Sequence, residues 1–336
     1  MIHLLNAGLT ALLTVFGIIL YSLGFGRLLI KLRRKSPRVL MYHACEPEES
    51  DFTRGLSINT PPSRFKEQLN FISKYYRIVT LEDLCREDIP ERAVVITFDD
   101  GYRSVYEHAF PLLKAHGFHA TVFLVADVVD NGGVIWLNAL SWYLSRDPSK
   151  ARDLISERLG CSRTAPWDRF LDSLIADYDP VVVTNVLEEL ETKLGGSASR
   201  VARQERLYLG ESEIAEMARH GVTYGNHTVS HPNLRRLSID ARRGELTIAK
   251  QSLLAIPGSI DALAYPFGIH DEVTRALAVE LGYSMLLEVK GNNQPLDLLH
   301  IARLNVTSDS PGMLFAKMEV VYPFKAFLKH IISHLT

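Results

Sequence analysis

Short apolar runs rich in β-branched side chains recur along the chain, and helical spacing fills most of the intervals between them. The runs lie at residues 38–43 (RVLMYH), 94–98, 120–125, 222–226, 262–266, 283–289 and 301–306. Continuous apolar runs of this length belong in the middle of a parallel sheet covered on both faces. Residues 65–76 (FKEQLNFISKYY) are helical in spacing, with Phe65, Leu69 and Ile72 on one face. The alternation predicts an α/β fold, a parallel barrel or a doubly wound sheet.

The alternation stops between residues 130 and 207, where helical patterns such as residues 180–194 (PVVVTNVLEELETKL) take over, followed by GGSAS. This reads as a helical insertion. Because it follows the strand at 120–125, it is expected to project from the carboxyl face of the sheet, where loops shape substrate access.

Residues 4–26 (LLNAGLTALLTVFGIILYSLGFG) carry no charged side chain, and the basic stretch RLLIKLRRKSPR follows. Roughly 20 residues at about 1.5 Å each span a bilayer core. With no basic segment before the run and no A-x-A-like site after it, residues 1–37 read as an uncleaved single-pass transmembrane helix and its juxtamembrane segment. At the other end, residues 324–335 (FKAFLKHIISHL) place Phe324, Phe327, Leu328, Ile331, Ile332 and Leu335 on one stripe. Residues 311–336 are thus expected to hold an amphipathic helix, packed on the barrel or lying on a membrane. Residues 38–310 remain as the main α/β domain.

At 336 residues with a formal charge of -2, the chain can hold a large domain and offers no electrostatic case for nucleic acid. Cys45, Cys85 and Cys161 show no CxxC spacing, so neither a disulfide framework nor a cysteine zinc site is indicated.

The stretch AVVITFDDGYRSVYEHAF ends a strand with Asp99 and Asp100, followed by Gly101. Ligands of parallel α/β folds bind at that edge. Two adjacent carboxylates repel, and a metal, a cation or a shared proton must offset the repulsion. The pair could simply cap the helix that starts near Arg103. A nucleotide site would need a GxxxxGK[ST] loop, which the sequence lacks. A metal hydrolase would use one carboxylate on the ion, one as base, and histidines to complete the ligand set. GNHTVSH, residues 225–231, offers His227 and His231 four apart, a spacing that places both imidazoles on one side of a helical turn with Thr228 as its cap.

TFDDG at 97–101 and HTVSH at 227–231 resemble the first two motifs of the polysaccharide deacetylase family, the NodB-type carbohydrate esterases, and AYPFG at 264–268 resembles the third. MYH at 41–43, the FKEQL helix, GYRSVYEHAFPLLKAHGFHATVFL and LGESEIAEMARHGVTYGNHT extend the likeness over residues 38–306. The resemblance implies a distorted (β/α)7 barrel holding a divalent metal, most often Zn2+. It implies Asp100, His227 and His231 as metal ligands, Asp99 as general base, and the backbone N–H of Phe267 as an oxyanion donor. The family's third motif usually begins with arginine, and here that position is Ala264, with Arg303 in IARLNV as a replacement charge. His300 and His43 are the two candidates for the acid.

These readings point to a metal-dependent hydrolase that removes N-acetyl groups from sugars of a cell-envelope polysaccharide or a lipid-linked glycan. The alternatives are a deformylase or deacetylase of a polyprenyl-linked monosaccharide, and a catalytically silent carbohydrate-binding protein. Orientation is open: the family's glycans lie outside the cytoplasm, whereas the cations after the apolar run favour a domain at the cytoplasmic face by the positive-inside rule.

Overall fold

The computed structural model describes residues 2–289 and 296–326, with side chains from residue 8. Its helices are α1 (Ile2–Ser22), α2 (Gly26–Leu32), α3 (Pro62–Tyr75), α4 (Phe110–His116), α5 (Trp136–Arg146), α6 (Pro148–Leu159), α7 (Trp167–Ala176), α8 (Pro180–Leu194), α9 (Ala198–Glu205), α10 (Glu211–Ala218), α11 (Ile239–Leu253), α12 (Glu272–Glu280) and α13 (Pro311–Ala316). Its strands are β1 (Arg38–Tyr42), β2 (Arg77–Ile78), β3 (Ala93–Phe98), β4 (Ala120–Leu124), β5 (Val222–Asn226), β6 (Ser259–Ala264), β7 (Met285–Val289) and β8 (Ile301–Asn305).

All strand pairings are parallel, and the contact between β1 and β3 closes β1-β3-β4-β5-β6-β7-β8 into a seven-strand ring. β1 occupies one edge of β3 from Val94 to Phe98, so the other edge is shared. The two residues of β2 take its start at Ala93 and Val94, and β4 takes its end at Thr97 and Phe98.

Alternation along each strand sorts the side chains. Leu40, Tyr42, Val94, Ile96, Phe98, Val122, Leu124 and Tyr224 face the surrounding helices. Val39, Ala93, Val95, Phe123, Ala262, Ala264, Met285, Leu287 and Ile301 fill the lumen. Gly225 is needed where the Phe123 ring crosses that lumen, since a Cβ there would sit 2.3 Å from the ring.

α5 to α9 form the insertion at the carboxyl ends of the strands, as its place after β4 required. Trp136 and Trp142 are buried anchors within it.

The expected transmembrane helix is not borne out as a single span. No single helix among the described residues is long and apolar enough to cross a membrane, and α1 and α2 meet at a bend of 109°. One face of α1 is committed to the protein: a Cβ on Gly17 would lie 2.6 Å from Ala316 Cβ, and the Tyr21 ring meets Phe71 and Phe315 at 5.7 and 5.4 Å. The C-terminal stripe is described only to residue 326, where α13 runs on into a π-helical turn, Lys317–Val321. Phe327 to Leu335 lie outside the described residues.

Candidate active site

Strand parity builds the first half of the site. In β3 the odd positions face the lumen, and Asp99 continues that series past the strand end. In β8, Ile301 faces the lumen, so Arg303 does too. Arg303 donates from Nη1 to Asp99 Oδ1 at 2.6 Å and from Nη2 to Oδ2 at 2.7 Å, with its guanidinium carbon 5.4 Å from the centre of the Phe123 ring. Both side chains are almost wholly buried. Burial alone would raise the Asp99 pKa, but the Arg303 charge, the neighbouring His227 and the Arg303 hydrogen bonds together outweigh it and hold the carboxyl at about 2. Arg303, not a residue at the position of Ala264, is the guanidinium that meets Asp99.

Asp100 turns the other way. Its φ of 71° and that of Gly101, 72°, are both left-handed and reverse the chain after the strand. Asp100 Oδ1 comes to rest 3.5 Å from His227 Nε2 and 3.4 Å from His231 Nε2, with no hydrogen-bond donor of its own. Burial, then the charge of Asp99, pushes its pKa up to about 8 in the metal-free protein. Neither aspartate caps the following helix, whose Arg103 amide donates to the Leu207 carbonyl.

The histidine segment is not the helical turn its spacing predicted. Thr228 and His231 have φ of 68° and 57°, and the stretch is irregular. Side-chain acceptors take the amides a helix would have used. Asn226 Oδ1 accepts from Thr228 N at 2.7 Å, Thr228 Oγ1 from His231 N at 3.2 Å, and Glu245 from Val229 N and Ser230 N at 2.8 and 3.1 Å. The imidazoles still converge, 4.9 Å between ring centres. His227 Nδ1 must carry the proton it donates to the Ala264 carbonyl at 2.8 Å, which leaves the Nε2 lone pair facing Asp100. Burial lowers the pKa of both histidines, so both rings are neutral and able to ligate.

Asp100, His227 and His231 offer one ligand atom each, all within 4.8 Å of one another. One carboxylate oxygen without a donor, facing two neutral imidazole nitrogens, fits a divalent cation of zinc type with positions left open.

A cavity of about 510 Å³ opens over these groups, walled by Leu171 and Ile175 of the insertion and by Phe267 and Ile269. His43, next in the lumen-facing series of β1, lines it. Burial holds His43 at about 4, and its Nδ1 has no partner. Phe267 adopts φ 59°, and its ring packs 4.6 Å from that of His231. His300 is not brought to the cavity; its ring lies 6.3 Å from His270, which pairs with Glu288 at 2.8 Å.

Several contributors had no signal of their own in the sequence. Asn138 of α5 binds the Tyr102 and Tyr208 hydroxyls beside Asp100, and Trp136 Nε1 donates to the His231 carbonyl at 3.0 Å. Glu245 sits in an ordinary helical stretch. The Ala264 carbonyl was visible only as part of AYPFG.

Residues 86–286 match the family model described as polysaccharide deacetylase. YxkH of Bacillus subtilis (strain 168) is 21% identical over 286 residues, 82% of this chain and 72% of that protein. The poly-beta-1,6-N-acetyl-D-glucosamine N-deacetylase of Escherichia coli (strain K12) is 34% identical over 97 residues, 27% of this chain and 14% of the relative. Among solved structures, the Streptococcus pyogenes deacetylase PplD superposes with a TM-score of 0.57 at 21% identity, covering 84% of this chain and 98% of that one. IcaB from Ammonifex degensii gives 0.54 at 20% identity, covering 84% and 96%. The match to the family model spans more than half of the sequence and takes in both aspartates and both histidines of the site, and on it the chain belongs to the polysaccharide deacetylase family.

Proposed function

We propose that this chain removes the N-acetyl group from N-acetylglucosamine units of an envelope polysaccharide. The observation that carries the reading is the division of labour between adjacent carboxylates: Asp99 is clamped by Arg303, and Asp100 is aimed at two neutral imidazoles in the same cavity. The substrate is argued from relatives named as poly-beta-1,6-N-acetyl-D-glucosamine N-deacetylases in Escherichia coli and Staphylococcus epidermidis.

Asp100, His227 and His231 would hold the divalent ion, which when bound supplies positive charge to acidify water and polarise the acetyl carbonyl. Asp99 stays ionised at neutral pH and accepts a proton from the attacking water. Arg303 fixes the orientation of both Asp99 oxygens and keeps that carboxylate charged. The Phe267 N–H donates toward the oxygen that gains charge as water adds to the carbonyl. The proton that Asp99 takes from water passes on to the departing nitrogen, and His43, the neutral cavity imidazole outside the ligand set, relays it, so that acetate and a free amine result.

A second reading, a lipid-linked glycan, is favoured by the aliphatic wall of Leu56, Ile58, Leu137, Leu171 and Ile175. The deciding measurement is acetate release from β-1,6-linked N-acetylglucosamine oligomers and from polyprenyl-linked N-acetylglucosamine, with zinc added or chelated. Zinc-dependent release from the oligomers supports the proposal, release from the lipid-linked sugar alone favours the second reading, and release from neither rejects both.

A further inference from the structure

α1 and α2 carry a surface that the catalytic domain does not use. Leu12, Val15, Phe16, Ile19 and Leu23 are between 49% and 68% exposed and follow helical spacing, so they form one stripe on the side away from Gly17 and Tyr21. Past the bend, Phe25, Leu28 and Leu32 continue it at 52%, 55% and 71% exposure. An apolar face of this extent marks a contact surface.

The chemistry beside the stripe identifies the partner. A cavity of about 460 Å³ lies between α2, the end of α3 and the segment before β3. Five cationic side chains, Arg27, Lys31, Arg34, Lys74 and Arg92, line it, against the single carboxylate of Glu91. Arg34 pairs with Glu91 at 3.1 Å; Arg27, Lys31 and Lys74 have no carboxylate in ion-pair range among the described residues. On α2, Arg27 and Lys31 are one turn apart, as are Leu28 and Leu32 on the neighbouring face, so one short helix joins the basic cavity to the apolar stripe. The whole chain carries a formal charge of -2, which makes this concentration of cations a local feature.

We infer that the α1–α2 surface docks the protein on an anionic phospholipid bilayer, with the stripe entering the headgroup–acyl boundary and the basic cavity receiving lipid phosphate. α1 and α2 together have the length and apolarity of a span but are bent by 109°, and because the Gly17 face is buried against α13, only the opposite side of α1 is free for lipid, a one-sided attachment. Arg34 and Arg92 lie just before β1 and β3, and Lys74 and Tyr75 just before β2, so the attachment is at the amino-terminal end of the barrel. Asp99, Asp100 and His227 emerge at the other end, about 20 Å away for a six-residue strand. The cavity over them faces away from the bilayer, which suits a glycan that extends from the membrane. The inference does not rest on the deacetylase reading, because its test needs no turnover.

The test is sedimentation of the full chain with phosphatidylcholine vesicles, with and without phosphatidylglycerol, at about 0.15 M salt. The expected result is co-sedimentation with the anionic vesicles, release by alkaline carbonate, and at least about tenfold weaker binding for Arg27→Glu/Lys31→Glu/Lys74→Glu. Leu12→Ser/Phe16→Ser, at exposed positions, should weaken it further while circular dichroism stays unchanged. Equal binding to neutral vesicles, retention through carbonate, or self-association with no vesicle binding would each overturn the inference, the last in favour of a second copy of the chain.

Discussion

Two buried arginine–carboxylate pairs sit at opposite ends of the same barrel and differ in what surrounds them. At the amino-terminal end, Arg38 donates from Nε and Nη2 to Glu319 at 2.9 and 2.7 Å, and Tyr76 adds its hydroxyl at 2.8 Å. Arg38 Nη1 donates to the Arg33 and Ser36 carbonyls, and Arg33 approaches Glu319 at 3.5 Å. At the carboxyl end, Arg303 and Asp99 make an equally good fork, yet Asp100 Oδ1, His43 Nδ1, His231 Nδ1, Arg303 Nε and Asn305 Oδ1 around them have no partner. A saturated cluster has no capacity left for a ligand and acts on the fold. An unsaturated one keeps buried polar atoms in reserve at a stability cost, which is the condition for binding an ion and a substrate. Four residues around the site, Asp100, Thr228, His231 and Phe267, hold left-handed φ, and Arg92 does so at the amino-terminal end.

The comparison is broken most sharply by exchanging what each pair is asked to do. Asp99→Asn should lower turnover by about 10²- to 10⁴-fold while leaving zinc content intact, measured by acetate release and metal analysis. Its stability loss should be modest, because removing the Asp99 charge removes one of the causes that raise the Asp100 pKa, and Asp100 can then ionise beside Arg303. Loss of zinc together with activity would return Asp99 to the ligand set.

Glu319→Ala should do the reverse. It strands the buried Arg38 guanidinium beside the cavity left by the carboxylate, at a cost of about 3–5 kcal/mol in denaturant unfolding, with kcat of the folded fraction unchanged. A kcat loss as large as that of Asp99→Asn would show that the two ends are coupled.

How much of this division the sequence carried depends on distance along the chain. β5 occupies residues 222–226 as the apolar run indicated, and lumen parity alone aims Asp99, His43 and Arg303 inward. β6 begins at Ser259, three residues before its apolar run, because its exposed start is polar. The two residues of β2 are too few to make a pattern. The irregular path of 227–231 depends on Glu245, and the Asp100 surroundings on Asn138 of the insertion; neither relation is local. α1 is the plainest case. A half-buried helix and a bilayer span share one composition, and the contact of Gly17 with Ala316, near the other end of the chain, leaves no local signal.

Acid–base linkage sharpens the contrast next. Asp100 is raised to about 8 in the metal-free protein, so its contribution to stability is full below the ordinary carboxyl range and is lost as pH rises through about 8. Asp99, held at about 2, contributes above the ordinary range and loses its contribution as pH falls through about 2. Burial lowers the pKa of His43, His227 and His231, so they add stability as pH rises through the ordinary imidazole range and oppose the Asp100 loss there. Above that range the Asp100 loss stands alone: chelator-treated protein should lose Tm as pH climbs from about 6.5 to 8, and the Tm gained on adding zinc should grow over the same interval. A zinc-induced gain independent of pH would mean that Asp100 is already ionised before the ion binds.

The smallest expected effect tests whether an unpartnered buried atom is by itself a sign of function. Tyr42 is fully buried between Phe65 and Phe98 at 5.2 and 5.5 Å, and its hydroxyl has no partner, although it lies outside the cavity lining. Tyr76 presents the same group to Glu319 at 2.8 Å. Tyr42→Phe removes a desolvated hydroxyl and nothing that answers it, so stability should stay level or rise by up to about 1 kcal/mol with unchanged acetate release. Tyr76→Phe removes a donor to a buried carboxylate and should cost about 1.5–3 kcal/mol, again with unchanged release. If Tyr42→Phe instead lowered turnover, the open polar atoms would extend beyond the cavity wall, and the catalytic end would reach the outer face of β1.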